Sequence, residues 1–309
     1  MKRTVSGIVY ILLLAGFYCL KVFVHDLCFD VLVYFASLVG TYEMVRATKQ
    51  KTCKAQRITV MIFAGLAIPA CAIAEGVFLR FGMHVISILF FVLAVALIAM
   101  FVINYEEISL ESVGVSFLSA VYPVLLLCLL VQVNHVPDIP SELPERLKEI
   151  ISVVAFRSDV LLLFIFGVSS LADTFAFLFG MTLKKKFPKK FAPAISPNKT
   201  VVGTLGGLFG GIVGGVALYF VYNGLLGGSF AYMHFWLPVY VIMGLLTAVA
   251  TAFGDLVESG IKRKVGIKDM GKIMPGHGGV LDRIDGTMFA TMIVYLCYIA
   301  VRMLFIYIL

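Results

Sequence analysis

Charge is what this sequence has least of. Only 14% of its 309 residues are Asp, Glu, Lys or Arg, whereas a soluble domain carries roughly 25%, because a surface facing water must be covered by polar groups. That shortage excludes an ordinary water-soluble globular enzyme. It also excludes a disordered chain, which needs low hydrophobicity and high net charge. Cysteine is sparse as well, with six residues, of which Cys19, Cys28, Cys71, Cys128 and Cys297 sit in apolar runs and Cys53 alone lies in polar sequence. No CxxC or Cys/His spacing occurs, so neither a disulfide framework nor a zinc site is expected. What the chain has in quantity is apolar sequence: 61% of residues and a mean hydropathy of +1.01. The class left is an all-α polytopic integral membrane protein.

A bilayer core needs about 20 apolar residues per helix. By that measure nine spans are expected, at 5–24, 27–42, 58–79, 84–104, 113–135, 158–180, 202–222, 235–254 and 287–309. The run after Lys2 and Arg3 imitates a signal peptide, but no small-residue cleavage site follows it and eight more spans do, so it reads as a retained first helix. Alternating the spans across the membrane puts 19 of the 25 Lys and Arg on one side. The positive-inside rule then predicts a cytoplasmic N-terminus and an outside C-terminus. The excess charge of +7 is therefore topological first, and no nucleic acid partner is expected. The polar segments 181–201 and 255–286 fall on the cytoplasmic side, where a water-soluble substrate would arrive. The division expected is 1–150, five helices without a chemical motif, and 151–309, a catalytic membrane domain. The outside loop 136–150, with its three prolines, reads as a rigid connector.

Some residues do not belong in a bilayer. Asp173 lies inside LLLFIFGVSSLADTFAFLFG, beside Ser169, Ser170 and Thr174, roughly 12 Å from the nearest loop at 1.5 Å per residue. An intramembrane carboxylate costs several kcal/mol unless paired, hydrated or bound to a cation, which marks it as a site. The seventh span reads GTLGGLFGGIVGG, and small residues at four-residue spacing let helix backbones approach closely, inside one protomer or at a homodimer interface.

The richest segment is Ser259 to Asp285, preceded by Gly254 and Asp255. Asp282 and Asp285 share a face if helix begins there. With Asp255 they suit a hard, oxygen-seeking cation, and Mg²⁺ characteristically takes one or two carboxylates and completes its shell with water and substrate phosphates. Pro275, Gly276, Gly278 and Gly279 could leave backbone amides accessible to anionic oxygens. Lys262, Arg263, Lys264, Lys268, Lys272 and Arg283 add the positive charge that a polyphosphate needs.

These residues resemble the phosphatidate cytidylyltransferases, or CDP-diacylglycerol synthases. The family signature falls on Ser259, Ile261, Lys262, Arg263, Lys268 and Asp269, then on His277, Gly278, Gly279, Asp282, Arg283 and Asp285. A second block resembles Ala172, Asp173, Thr174 and then Ser196 through Gly203, departing at Asn198 and where Val201 and Val202 replace the usual Trp-Glu. Ser196, Lys199 and Thr200 are left as candidates there. The resemblance covers about 165–290. It implies the reaction of CTP with phosphatidic acid to give CDP-diacylglycerol and pyrophosphate, dependent on Mg²⁺ with a second cation, magnesium or monovalent, beside it. On this reading Asp255, Asp282 and Asp285 are cation ligands, with Asp173 behind them or as a further metal carboxylate. Lys262, Arg263, Lys268 and Arg283 bind CTP phosphates and the lipid phosphate, helped by Ser196, Lys199 and Thr200. Asp269 orients Lys268, and His277, Gly278 and Gly279 line the substrate. A bacterial inner membrane with the active site facing the cytoplasm is implied. The alternatives are a CTP-dependent lipid kinase, a cytidylyltransferase for an isoprenoid-ether lipid phosphate and, more distantly, a secondary transporter.

Overall fold

Inside a bilayer an apolar segment can satisfy its backbone polar groups only as a helix or in a closed barrel, and helices are what these segments form. The computed structural model describes residues 2–78, 82–136, 157–225, 230, 233–274, 276 and 278–307. Its order is α1 (Lys2–Phe23), α2 (Leu27–Ala47), α3 (Lys54–Phe78), α4 (Gly82–Ile103), α5 (Leu110–Asn134), α6 (Ser158–Leu183), β1 (Lys190–Ala192), β2 (Ser196–Thr200), α7 (Val201–Leu225), α8 (Met233–Val265) and α9 (Leu281–Tyr307). Among the described residues eight helices are long and apolar enough to cross a membrane, and α1 adds the shorter apolar stretch Val9–Phe23. The chain is a polytopic all-α membrane protein. His277, Pro275, Arg80 and most of the proline loop expected at 136–150 lie outside the described residues.

Three spans differ in extent from the hydropathy reading, the ninth because its helix begins at Leu281 rather than at 287. The second, expected to end at residue 42, continues as α2 to Ala47, because Glu43 within it is buried and bonded rather than solvated. The eighth, expected to end at 254, continues as α8 to Val265. Thirty-three residues make a helix about 50 Å long, well beyond a hydrocarbon layer of about 30 Å. Its last turn carries Lys262, Arg263 and Lys264, cations that suit the negative end of the helix dipole. Segment 181–201 is also more ordered than a loop: β1 and β2 pair antiparallel with Lys190 opposite Thr200 and Ala192 opposite Ser196, the register being irregular between them.

The chain folds as two compact units, Met1–His135 with Ile261–Ile284, and Val136–Gly260 with Asp285–Leu309. This differs from a linear division near residue 150. The segment carrying most of the signature, 261–284, belongs with the first five helices rather than with its sequence neighbours.

In the first unit, Lys51 between α2 and α3 pairs with Glu111 at the start of α5 at 2.5 Å. At the opposite ends of α2 and α5, buried Asp30 meets His135 Nε2 at 2.6 Å and accepts from Asn134 Nδ2 at 2.9 Å. Loops expected on one side thus meet each other, as alternating spans require. Helix α4 has a hydropathy of 3.2 over its most apolar window and leaves most of it uncovered, the property of a lipid-facing helix.

In the second unit the glycine stripe works inside the protomer. A Cβ at Gly211 would lie 2.5 Å from the Gly244 carbonyl oxygen of α8, and one at Gly210 would lie 2.7 Å from Phe175 Cβ of α6. Helix α7 is therefore wedged between α6 and α8 at a separation that only hydrogen side chains allow. Helix α6 is interrupted by a π-type turn, Phe164–Val168, whose extra residue rotates everything after it by about 100°, including Asp173.

Candidate functional site

The second unit contains a cavity of about 570 Å³ among α6, α7, α8 and the β2 end of the hairpin, lined by Asp173, Lys199, Thr200 and Asp255 with Asn198 and Lys184. Each side chain is delivered by a different local device. The π-type turn in α6 and close α6–α7 packing place Asp173, which is open to the cavity. The β2 strand ends directly in α7, where the Thr200 hydroxyl accepts from Gly203 N at 3.1 Å and so caps the helix. Lys199, one residue earlier, reaches α8, donating from Nζ to Asp255 Oδ2 at 2.6 Å and to the Ala252 carbonyl at 3.4 Å. Asp285 follows on α9, where its Oδ1 accepts from Gly286 N at 2.9 Å. A Cβ at Gly254 would lie 2.5 Å from the Asp285 carbonyl oxygen, so that glycine lets α8 and α9 meet beside the two aspartates.

Asp173 lies within electrostatic reach of Asp255 and Asp285, with Lys199 as the opposing cation. The cavity lining carries Lys184 and Lys190 beside Lys199, so its two carboxylates face three ammonium groups, a mixed set that suits a cation together with phosphate oxygens. Among the described residues no group of three His, Cys, Asp or Glu is gathered closely enough to cage a metal. Asp173 and Asp255 offer hard carboxylate oxygens at an open cavity, and such oxygens, one or two at a time with water and phosphate oxygens, are the donors Mg²⁺ takes.

The first unit holds a second set of signature residues, arranged differently. Asp282, with its side chain 5% exposed, takes Lys262 Nζ on Oδ1 at 2.7 Å. Its Oδ2 accepts from Met270 N at 2.9 Å and Gly279 N at 2.7 Å. Glu43, from α2 and only 2% exposed, accepts from Val280 N at 3.1 Å and Leu281 N at 3.0 Å, capping α9 from outside its own sequence neighbourhood. The amides expected to await a phosphate are thus partly taken by two of the protein's own carboxylates. Gly278 has a φ of +86° and a Cβ there would lie 2.5 Å from Asp282 Oδ2, so glycine is required on both counts.

What these anchors leave open is a cavity of about 610 Å³ lined by Lys268, Asp269, Lys272, Gly278 and Arg283. Lys268, Asp269 and Arg283 are exposed, which suits a polyphosphate. Arg263 is exposed at the end of α8, and Ser196 opens the β2 strand without lining the 570 Å³ cavity. Sequence reasoning missed Glu43 because the second span was ended just before it; a carboxylate inside an apolar helix was the available signal. It also passed over Lys184, for which hydropathy and motif gave no cue, and set Asn198 aside because it departs from the family block.

Residues 1–301 match the family described as Cytidylyltransferase family. The chain is 48% identical over 73 residues to the phosphatidate cytidylyltransferase of Helicobacter pylori strain J99, covering 24% of this chain and 25% of that protein. It is 42% identical over 72 residues to the phosphatidate cytidylyltransferase of Synechocystis sp., covering 23% and 25%. With the Mycobacterium tuberculosis H37Rv protein of the same name the identity is 57% over 47 residues, 15% of this chain and 14% of that one. The matched stretches thus span a quarter or less of these relatives.

Proposed function

The chain belongs to the cytidylyltransferase family, and from that premise we propose that it makes CDP-diacylglycerol and pyrophosphate from CTP and phosphatidic acid. The observation that carries this reading is the cavity lined by Asp173, Asp255 and Lys199, with Asp285 within electrostatic reach of Asp173, on helices long and apolar enough to cross a membrane. A lipid oxygen attacks the α-phosphorus of CTP, the α–β phosphoanhydride bond breaks, and pyrophosphate leaves with its electron pair. The attacking phosphomonoester is already anionic near neutral pH, its second pKa being about 6, so no general base is needed. The difficulty is bringing two anions together in one geometry.

Asp255 and Asp285, with Asp173 behind them, would hold Mg²⁺, which when bound neutralises phosphate charge and stabilises the leaving group. Lys199 is held at 2.6 Å by Asp255 and is placed to pass from that carboxylate to a phosphate oxygen. Lys268 and Arg283, with Arg263, bind phosphate oxygens; Asp269 shares the cavity that Lys268 lines. Asp282 and Lys262 act on the loop, keeping those cations at fixed positions, and Thr200 fixes the start of α7. The active site is read as facing the cytoplasm of a bacterial plasma membrane, consistent with where the 25 cations fall.

The test uses the purified full chain in detergent with labelled CTP, Mg²⁺ and phosphatidic acid. Labelled lipid and free pyrophosphate are expected. Release of CDP with a newly phosphorylated lipid would instead identify a CTP-dependent kinase, and label that stays wholly aqueous would overturn the reading.

A further inference from the structure

The first unit has a groove that none of the signature residues enters. It lies between the C-terminal end of α2 and the start of α3, has a volume of about 640 Å³, and carries Arg46, Lys49, Lys54 and Arg57 above an apolar wall that includes Ile58 and Ile62. No carboxylate lines it. Helix ends that carry cations are expected on topological grounds, which accounts for the sign of the charge but not for a recess. Here the cations are also tied together: Arg57 of α3 donates from its guanidinium to the carbonyl of Lys49, in the turn after α2, at 3.0 Å. Nearby Lys51 is drawn off to Glu111, and Glu43, the acid that interacts with Arg46, is committed to the α9 amides. Tyr42, Ile58 and Ile62 are 53%, 49% and 57% exposed at the groove.

The groove does not end blindly. A smaller cavity of about 230 Å³ shares Arg46 and Lys49 with it, and also contains Asp269, Gly271 and Lys272. Those three residues in turn line the cavity of Lys268 and Arg283. Within one unit, cations run from the groove to the signature loop.

We propose that the α2–α3 groove seats a phospholipid with a phosphomonoester headgroup, the phosphate against Arg46, Lys49, Lys54 and Arg57 and the chains along Val45, Ile58, Met61 and Ile62. Basic recesses between membrane helices recognise acidic headgroups in this way. A monoester, at a charge of about −1.5 to −2 near neutral pH, matches a four-cation, acid-free recess better than a phosphodiester. The choice of phosphatidic acid as the occupant rests on the reaction proposed above, for which it is the lipid substrate; the groove would capture it from the leaflet and hold it at the threshold of the loop.

The test is binding to the full chain in detergent without CTP, so that no turnover occurs, read by native mass spectrometry. Dioctanoyl phosphatidic acid is titrated beside dioctanoyl phosphatidylglycerol, dioctanoyl phosphatidylcholine and glycerol 3-phosphate. Wild-type protein is expected to retain the first and to bind the other three at least tenfold more weakly. Arg46→Gln/Lys49→Gln/Lys54→Gln should weaken retention roughly 100-fold, by removing three cations near the headgroup. Ile62→Trp keeps every charge, lies on an exposed position and fills the groove, so it should weaken retention while the helical melting curve stays that of wild type. Lys185→Gln/Lys186→Gln, an exposed pair elsewhere, should leave retention unchanged. Equal retention by the triple variant, or equal loss in the Lys185/Lys186 control, would overturn the site. Equal binding of phosphatidylglycerol would overturn the monoester headgroup, and equal binding of glycerol 3-phosphate would show a free-phosphate site in place of a lipid one. A protein that binds the lipid but makes no CDP-lipid would remove the proposed reaction and leave the groove standing.

Discussion

Asp282 and Asp285 are three residues apart in the first turns of α9 and are put to opposite uses. Asp282 is enclosed and holds Lys262 and two backbone amides, in the company of Glu43, which holds two more. Asp285 stands in the other unit, in electrostatic reach of Asp173, which opens with Asp255 onto the carboxylate cavity. In the first region the carboxylates are bonded to the loop; in the second Asp173 and Asp255 face a cavity, where the proposed cation would sit. The difference teaches that a signature can mix groups that touch substrate with groups that hold the backbone, and that burial together with donor count separates them.

The largest effect should come from the carboxylates of the second unit. Asp255→Asn and Asp285→Asn are expected to lower CDP-lipid formation by more than about 10²-fold, as loss of a preorganised charge at a reacting phosphate does, with an unchanged thermal unfolding midpoint. A matching result is expected from chelation: EDTA should stop turnover reversibly, added Mg²⁺ should restore it, and the unfolding curve should not move. If either treatment unfolds the protein, the contrast between the two regions collapses.

Asp282→Asn should abolish turnover as well while membrane insertion persists, but through a different cause. Removing the charge takes from the Lys262 ammonium, 15% exposed, its ion pair at 2.7 Å, and breaking a buried pair costs about 3–5 kcal/mol. A clear fall in the unfolding midpoint is therefore expected for this variant and not for Asp285→Asn; equal midpoints would place Asp282 with the cation ligands instead. Glu43→Gln should cost less, about 1–3 kcal/mol from the amides it would leave poorly satisfied. Its mark should be faster amide hydrogen exchange at Val280 and Leu281, and unaltered exchange there would deny Glu43 its part in the loop.

The smallest effect is expected at the exposed loop cations. Lys268→Gln should raise the KM for CTP by about tenfold, the loss of one charge-assisted hydrogen bond, with kcat and stability near wild type. A fall in kcat at unchanged KM would move Lys268 into the transition state.

Much of this was legible in the chain itself. Hydropathy located the nine long helices found among the described residues, because a 20-residue apolar run has no other stable form in lipid. Asp173 stood out because a carboxylate in such a run needs a reason, and the spacing of Asp282 and Asp285 announced a helix start. Glu43 was not legible in the same way. Its partners are Val280 and Leu281, more than 230 positions away, and the signal for it, an acid at the edge of a span, is easily taken for the end of that span. Nor was the hairpin of β1 and β2, since three- and five-residue strands carry too little periodicity to be told from loop.

The sequence by itself determined that the protein lives in a membrane, how many times its helices run through apolar length, and which acids and cations are concentrated near two polar segments. These are local properties, set by residue chemistry and by the absence of water in hydrocarbon. Only the tertiary structure decided which carboxylates face a cavity and which are consumed as backbone anchors. It also decided that 261–284 belongs with the first five helices and that four cations of α2 and α3 flank a recess. Those outcomes depend on which donors arrive from distant segments, and an oxygen that already accepts from buried amides is no longer available to a metal or a phosphate.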